Sequence, residues 1–386
     1  MRIYMDNAAT TFPKAPGVGE AVKSYIDNIG VNVKRGTYST AFSAGETVLE
    51  TREMICNLFN FHNTDNVVFT MNITQSMNFL IKEILKSGDH CIVSSMEHNA
   101  VMRPLSQLVN KKVEFSRVKC DKFGRLDPKD IKKHIKYNTR AVIMTHASNV
   151  CGTILPLYQI GKVCKDENLL FIVDSAQTAG VCDIDFNDMN ADAIAFTGHK
   201  GLLGPQGTGG FILSEKLSKT IESLICGGTG SDSKSEYQPE YMPDKFEPGT
   251  MNLPGIFGLH RALKYISEIG IENIRNEELS LASRFLEGVL NMKNISIAGL
   301  STIQGRTAVV SLDFGKKDNG EVSYLLDKDY GIMTRCGLHC APSAHKTLGT
   351  FPHGTVRFSF SHYNTDKEVN YVLESIHKIS KRRGIE

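Results

Sequence analysis

Several things are missing from this 386-residue chain, and each absence narrows what it can be. No apolar run approaches the roughly 18–20 residues that a helix needs to span a bilayer, so no membrane protein is expected. The opening Met1-Arg-Ile-Tyr-Met-Asp6 lacks an apolar core followed by a cleavage site, so no signal peptide is read there and a cytoplasmic location is expected. Neither sign of charge is in excess. The 44 Lys and Arg against 42 Asp and Glu leave +2, which gives no electrostatic argument for nucleic acid or an acidic membrane. The nine cysteines are odd in number and scattered, so a disulfide framework is not expected. Cys336 and Cys340 are close, but without a second pair nearby they make a poor zinc motif, and no metal site is expected. There is no G-x-x-x-x-G-K-[ST] loop, no internal repeat and no low-complexity tract.

What is present is an alternation. Val67–Thr70, Cys91–Ser94, Val113–Val118, Ala141–Thr145, Leu169–Val173, Ala193–Phe196 and Gly210–Leu213 read as strands. Several are continuously apolar, which marks a strand covered on both faces. Amphipathic stretches lie between them, at Glu46–Phe59, Thr74–Lys86, Pro128–Tyr137 and Pro156–Glu167. The fold class expected is α/β, a large domain with a mainly parallel sheet over residues 1–255. The Gly- and Pro-rich stretch 227–254 reads as a long functional loop. A helical region over Gly255–Met292, strands near Thr307–Phe314 and Thr355–Ser359, and a basic helix over Asp366–Arg383 suggest a smaller α+β domain over 256–386, with the opening residues packed on it.

Ligands of an open α/β sheet bind beyond the carboxyl ends of its strands, so polar residues where apolar runs stop are the candidates. Asp174 ends the run Leu169–Val173 and could meet a cationic nitrogen, or simply cap a helix. Lys200 follows Thr197-Gly-His199 and precedes a glycine-rich run. It is either a solvated charge or, if partly desolvated beside other cations, an amine able to attack an aldehyde. Ile73-Thr74 opens a helix and could hold an anion on free N–H groups and a hydroxyl, although an ordinary cap would look the same. His98, after Cys91–Ser94, could stack on a planar ligand or be a satisfied polar residue. A carboxylate, an amine, an anion site and an aromatic plane are together what pyridoxal 5′-phosphate (PLP) requires: a carboxylate for the ring nitrogen, a lysine for the aldehyde, and donors for the phosphate.

Along the whole chain, Asp6-Asn-Ala-Ala-Thr10, Thr145-His-Ala-Ser-Asn149-Val-Cys-Gly-Thr153, Asp174-Ser-Ala-Gln177, Gly198-His-Lys200, Phe246-Glu-Pro-Gly-Thr250 and Arg335-Cys-Gly-Leu-His-Cys340 occur in an order that resembles the cysteine desulfurases of the class V aminotransferase-like family. The resemblance implies the fold-type I architecture of PLP-dependent transferases. It also implies roles. Lys200 would be the Schiff-base lysine and proton shuttle, Asp174 the partner of the ring nitrogen, Gln177 a donor to the phenolic oxygen, and His98 the stacking ring. Ile73, Thr74, Thr197 and His199 would hold the phosphate, with Thr250 reaching the phosphate of a second subunit in a homodimer with shared sites. Asn149, Arg357, Arg335 and Arg35 would bind substrate, a guanidinium matching the carboxylate of L-cysteine.

Cys340 is the residue that separates activities. In the desulfurases a loop cysteine attacks the substrate sulfur and carries it as a persulfide, and a cation such as Arg335 favours its thiolate. The alternative for Cys340 is a buried structural thiol. The short cysteine loop resembles the branch that hands sulfur to an acceptor protein and includes enzymes acting on L-selenocysteine. A selenocysteine lyase or another C–S lyase on the same scaffold is therefore the alternative activity, and a non-catalytic sulfur-relay protein the alternative class. Lys34, Asn72-Ile73, the short 227–254 segment and Ala341–Thr350 depart from the family pattern, leaving substrate preference, acceptor and pathway open.

Overall fold

The computed structural model describes residues 2–34 and 36–382. A short strand, β1 (Ile3–Tyr4), opens the chain. Seven strands then form one sheet: β2 (Val67–Thr70), β3 (His90–Ser94), β4 (Glu114–Val118), β5 (Thr139–Thr145), β6 (Leu170–Asp174), β7 (Ala193–Thr197) and β8 (Gly209–Leu213), in the order β2-β8-β7-β6-β5-β3-β4. β3, β4, β5, β6 and β7 pair in parallel, and only β8 runs against its neighbours β2 and β7. The fold is thus the mainly parallel α/β sheet that the apolar runs suggest.

Alternation along the strands builds two apolar layers. Val142, Met144, Val173, Ile194 and Phe196 face one cluster, while Ala141, Ile143, Ile172, Ala193 and Ala195 face the other, all almost wholly buried. Each of the larger side chains among them contributes about 1.5–3 kcal/mol of burial, so the sheet resists sliding and its strand ends are fixed points. Helices Ser39–Leu58, Ile73–Ile84, Asn99–Val109 and Leu157–Asp166 are among those that connect and cover the strands. Asn72 starts the second of these by accepting a hydrogen bond from Gln75 N.

The region Gly255–Met292 is two helices, Leu253–Ile269 and Ile271–Leu290, broken at Gly270, whose φ of 87° is left-handed. Beyond them β9 (Ser296–Ala298), β10 (Val309–Asp313), β12 (Arg335–Gly337) and β13 (Thr355–Ser359) form an antiparallel sheet ordered β12-β13-β10-β9. β11 (Ile332–Met333) pairs in parallel with β1. Ile3 and Met5 are buried in the same apolar cluster as Phe285, Leu312, Val356 and Ile376, so the opening residues pack with this C-terminal sheet. The last helix is Asp366–Lys381, started by a capping box between Thr365 and Glu368. The stretch 227–254 contains one helical turn, Asp244–Phe246, and is otherwise irregular up to the helix that starts at Leu253. Pro128–Tyr137 yields only the short helix Lys129–Lys132. Among the helices that escape the sequence reading are Asn99–Val109, which contains Pro104, and Asn319–Tyr330, which buries only three of its side chains, besides the shorter Val18–Ser24, Glu215–Ser218 and Pro342–Leu348.

Candidate active site

Because β2, β3, β5, β6 and β7 point the same way, their carboxyl ends bring Thr74, His98, Asn149, Asp174 and Lys200 to one edge of the sheet. Asp174 is the last residue of β6 and is almost wholly buried; its Oδ1 accepts a hydrogen bond from Ala176 N at 2.9 Å. Burial raises its pKa, against the pull of that bond and of Lys200. Among the described residues no cation lies within ion-pair distance of it, so the carboxylate is enclosed and lacks a partner for its charge.

Lys200 keeps some surface open to a small polar cleft that Asn7, Thr11, Gln177 and Ser359 also line. It is nevertheless packed deeply enough that burial lowers its pKa to about 8, with Arg357 and Arg335 pushing the same way and Asp174 and Asp6 opposing. The solvated-charge alternative for Lys200 is therefore set aside by its surroundings. The carbonyl of its neighbour His199 is held by Thr10 Oγ1, Thr11 N and Lys14 Nζ at 3.0, 3.0 and 2.9 Å. The N-terminal segment thus clamps the turn that carries Lys200. Gln177 donates from Nε2 to Ala8 O at 3.1 Å.

His98 caps the helix Asn99–Val109, its Nδ1 accepting from Ala100 N at 2.9 Å. Burial, followed by the nearby cations Lys200, Arg335, Arg357 and Arg103, lowers its pKa to about 3. The ring is neutral at physiological pH, and its accepting Nδ1 puts the proton on Nε2. The structure shows His98 as a satisfied helix cap, an arrangement that is compatible with a flat ring facing a ligand. Beside it, Glu97 is fully buried, taking Ser94 Oγ at 2.5 Å and Thr145 N at 2.9 Å. Burial lifts its pKa to about 8. Glu97 escaped the sequence reading, where a Glu after an apolar strand looks like a surface residue.

Two polar atoms near Lys200 are buried without any partner: Thr197 Oγ1 and His199 Nδ1. Thr74 is exposed at the first turn of its helix, and Ile73 beside it is buried. Thr250 lies apart, exposed on a loop that lines a cavity of about 220 Å³ with Phe69, Met71 and Gly209; Lys200 does not line that cavity. The loop is fixed by Glu247, whose carboxylate takes Arg52 Nη2 at 2.7 and 2.8 Å and Phe69 N at 2.8 Å. Lys34 pairs with Asp244 in the same loop. Arg35 lies outside the described residues.

The C-terminal sheet supplies the remaining groups. Arg335 and Arg357 sit opposite one another on β12 and β13. Arg357 is almost wholly buried; it donates to Asp6 Oδ1 at 2.7 Å and to Asn149 O at 3.0 Å, while its Nε has no partner. Asp6 is the group here that sequence reading missed. It stands in the motif Asp6-Asn-Ala-Ala-Thr10 and closes the apolar Ile3–Met5, but neither feature gave it a role. Cys340 is exposed, with Arg335 Nη2 at 3.7 Å from its Sγ, which removes the buried-thiol alternative. Cys336 occupies the alternate position on β12, so it faces away from Arg335 and Cys340. Among the described residues there is no cluster of metal-ligating side chains, and no helix is long and apolar enough to cross a membrane.

The chain matches the family described as Aminotransferase class-V over residues 3–372. It is 34% identical over 382 residues to a probable cysteine desulfurase of Methanothermobacter thermautotrophicus, covering 98% of this chain and 94% of that one. A probable cysteine desulfurase of Pyrococcus abyssi is also 34% identical, over 385 residues, covering 98% and 94%. Among solved structures, the apo cysteine desulfurase of Thermococcus onnurineus NA1 superposes with a TM-score of 0.93 at 32% identity, covering 98% of this chain and 95% of that one. The cysteine desulfurase CsdA of Escherichia coli superposes with a TM-score of 0.87 at 26% identity, covering 97% and 94%.

Proposed function

The chain belongs to the aminotransferase class-V family, and from that premise we propose that it is a PLP-dependent cysteine desulfurase, converting L-cysteine to L-alanine with transfer of the sulfur to Cys340. The observation that carries this reading is the convergence on Lys200. An amine with a pKa near 8 faces an enclosed, uncompensated carboxylate at Asp174 and two arginines, with an exposed cysteine beside Arg335.

The residues fit the cofactor. Asp174 is a buried carboxylate lacking a cationic partner, which a protonated ring nitrogen would supply. Thr197 Oγ1 and His199 Nδ1 are orphaned donors or acceptors suited to phosphate, with Thr74 and the backbone of Ile73 beside them. His98 offers its ring for stacking and Gln177 an amide for the phenolic oxygen. When bound, PLP supplies an electron sink for the bonds broken at the substrate.

This chain's own residues do the rest. Arg357, with Asn149 beside it, takes the substrate carboxylate; its buried Nε is the donor still unused. Lys200, whose pKa burial brings down to about 8, accepts the α-proton and returns a proton to the product carbon. The Cys340 sulfur, with Arg335 Nη2 3.7 Å away, attacks the substrate sulfur. An S–S bond forms, the C–S bond breaks with its electron pair left on carbon, and protonation there gives alanine. Cys340 keeps the sulfur as a persulfide, which a thiol or an acceptor protein then takes. The exposure of Cys340 suits that hand-over. Its nine free cysteines suit a reducing compartment such as the cytoplasm.

Replacing Lys200 by alanine tests the assignment. The purified variant is expected to lack the visible absorbance of the yellow wild type after incubation with PLP, and to lose turnover; a variant that stays yellow and active contradicts it. The exposed Thr250 and the cavity beside it suit a second subunit contributing to each site. A homodimer is expected, so sedimentation should give twice the chain mass at micromolar concentration, and a monomer there would contradict it.

A further inference from the structure

Resting on the desulfurase reading above, we propose that Asn149 is the latch of the Cys340 loop: its side-chain amide holds the loop in the free enzyme and releases it when the substrate carboxylate claims that amide. Among the described residues, three bonds hold the loop to the body of the protein. Asn149 Nδ2 donates to His339 O at 2.7 Å, Asn99 N donates to Cys340 O at 2.8 Å, and the His339 ring contacts Thr355 Oγ1 at 3.1 Å. Arg335 Nη2 also reaches Cys340 Sγ at 3.7 Å, but Arg335 stands on β12 at the base of the same loop and does not tie it to another part of the protein.

The loop is not at rest. His339 and Cys340 are consecutive non-glycine residues with φ of 47° and 59°, a left-handed geometry that side chains disfavour and that persists only where surrounding contacts impose it. Losing one of three contacts therefore frees a loop already inclined to change. Asn149 is the contact placed to be lost, because its backbone carbonyl is held by Arg357 Nη1, which fixes its amide next to the guanidinium that binds carboxylate. Arg357 Nε is buried with no partner, the mark of a donor waiting for a ligand at that spot. A carboxylate is a stronger acceptor than a peptide carbonyl, so the amide gains by turning from His339 O to the substrate. The Asn99 bond, made by backbone next to the His98 cap, stays as the hinge. Cys340 thus becomes mobile only when a substrate is seated to receive its attack.

Hydrogen exchange followed by mass spectrometry on the PLP-loaded enzyme tests this, since Ala341 N is bonded within the loop to Leu338 O at 2.9 Å and reports its opening. L-alanine, which carries the α-carboxylate without sulfur, should speed exchange in peptides spanning 338–341 by roughly three- to tenfold, the worth of one hydrogen bond. Asn149→Ala and the isosteric Asn149→Asp should exchange at that faster rate with no amino acid present. Exchange at the wild-type rate in variants with native circular dichroism, or exchange slowed by L-alanine, overturns the latch. If L-alanine changes neither the visible absorption nor the exchange of the wild type, the substrate reading fails instead, and the two variants alone decide the latch.

Discussion

At Lys200 two arginines act against two carboxylates, and burial, the largest influence, lowers the pKa. The sign of its pH dependence follows. The ammonium cannot attack an aldehyde and the amine can, so the reactive fraction grows as pH rises through the folded pKa. With that pKa at about 8 rather than 10.5, about a tenth of Lys200 is neutral at pH 7 and about nine-tenths at pH 9. The rate at which apoprotein takes up PLP, followed by visible absorbance, should rise over that interval and level off above it. A rate still climbing steeply at pH 10 would show an unperturbed lysine. Residue types at strand ends made Asp174, His98 and Lys200 legible, because an apolar run that stops at a charged or aromatic polar residue is a visible event. Asp6 and Glu97 were not, since each acts through partners distant in the chain, Arg357 and Thr145.

At the scale of elements, β3, β5, β6, β7 and β8 were legible because strands covered on both faces have mostly apolar runs, whereas β4 at the sheet edge, with Glu114 and Arg117 exposed, offered only a broken one. The reversed direction of β8 was not legible, since the pattern of side chains is the same whichever way a strand runs. The helix Asn99–Val109 was hidden by Pro104, and Asn319–Tyr330 by its sparse apolar face. How tightly helices seat on the sheet is visible at Gly161, in Leu157–Asp166. A Cβ there would stand 1.8 Å from Met189 O and 2.9 Å from the carbonyl carbon. Alanine would favour the helix by about 0.5–1 kcal/mol over glycine, but the clash is with backbone that cannot rotate away, and overpacking costs about 1–3 kcal/mol or more. Gly161→Ala should therefore lower the urea midpoint with an unchanged slope. An unchanged or higher midpoint would mean that the helix is free to shift.

For the whole molecule, the site exists only because two sheets meet. Lys200, Asp174 and His98 come from the carboxyl edge of the parallel sheet, while Arg335, Cys340 and Arg357 come from the antiparallel one, and the N-terminal segment joins both, Asp6 at Arg357 and Thr10, Thr11 and Lys14 at His199. No periodicity or spacing relates residues that far apart. Their convergence was legible only through the order of motifs shared with a family, and the structure supplies the contacts: Asn99 to Cys340, Asn149 to His339, Arg357 to Asn149 and Asp6. The central claim is that Cys340 takes the sulfur, and it is tested by measuring alanine formed from L-cysteine, with reductant present, by the PLP-loaded wild type and by Cys340→Ala side by side. The account predicts alanine from the wild type and almost none from the variant, which should stay yellow. Full turnover by the variant would contradict it.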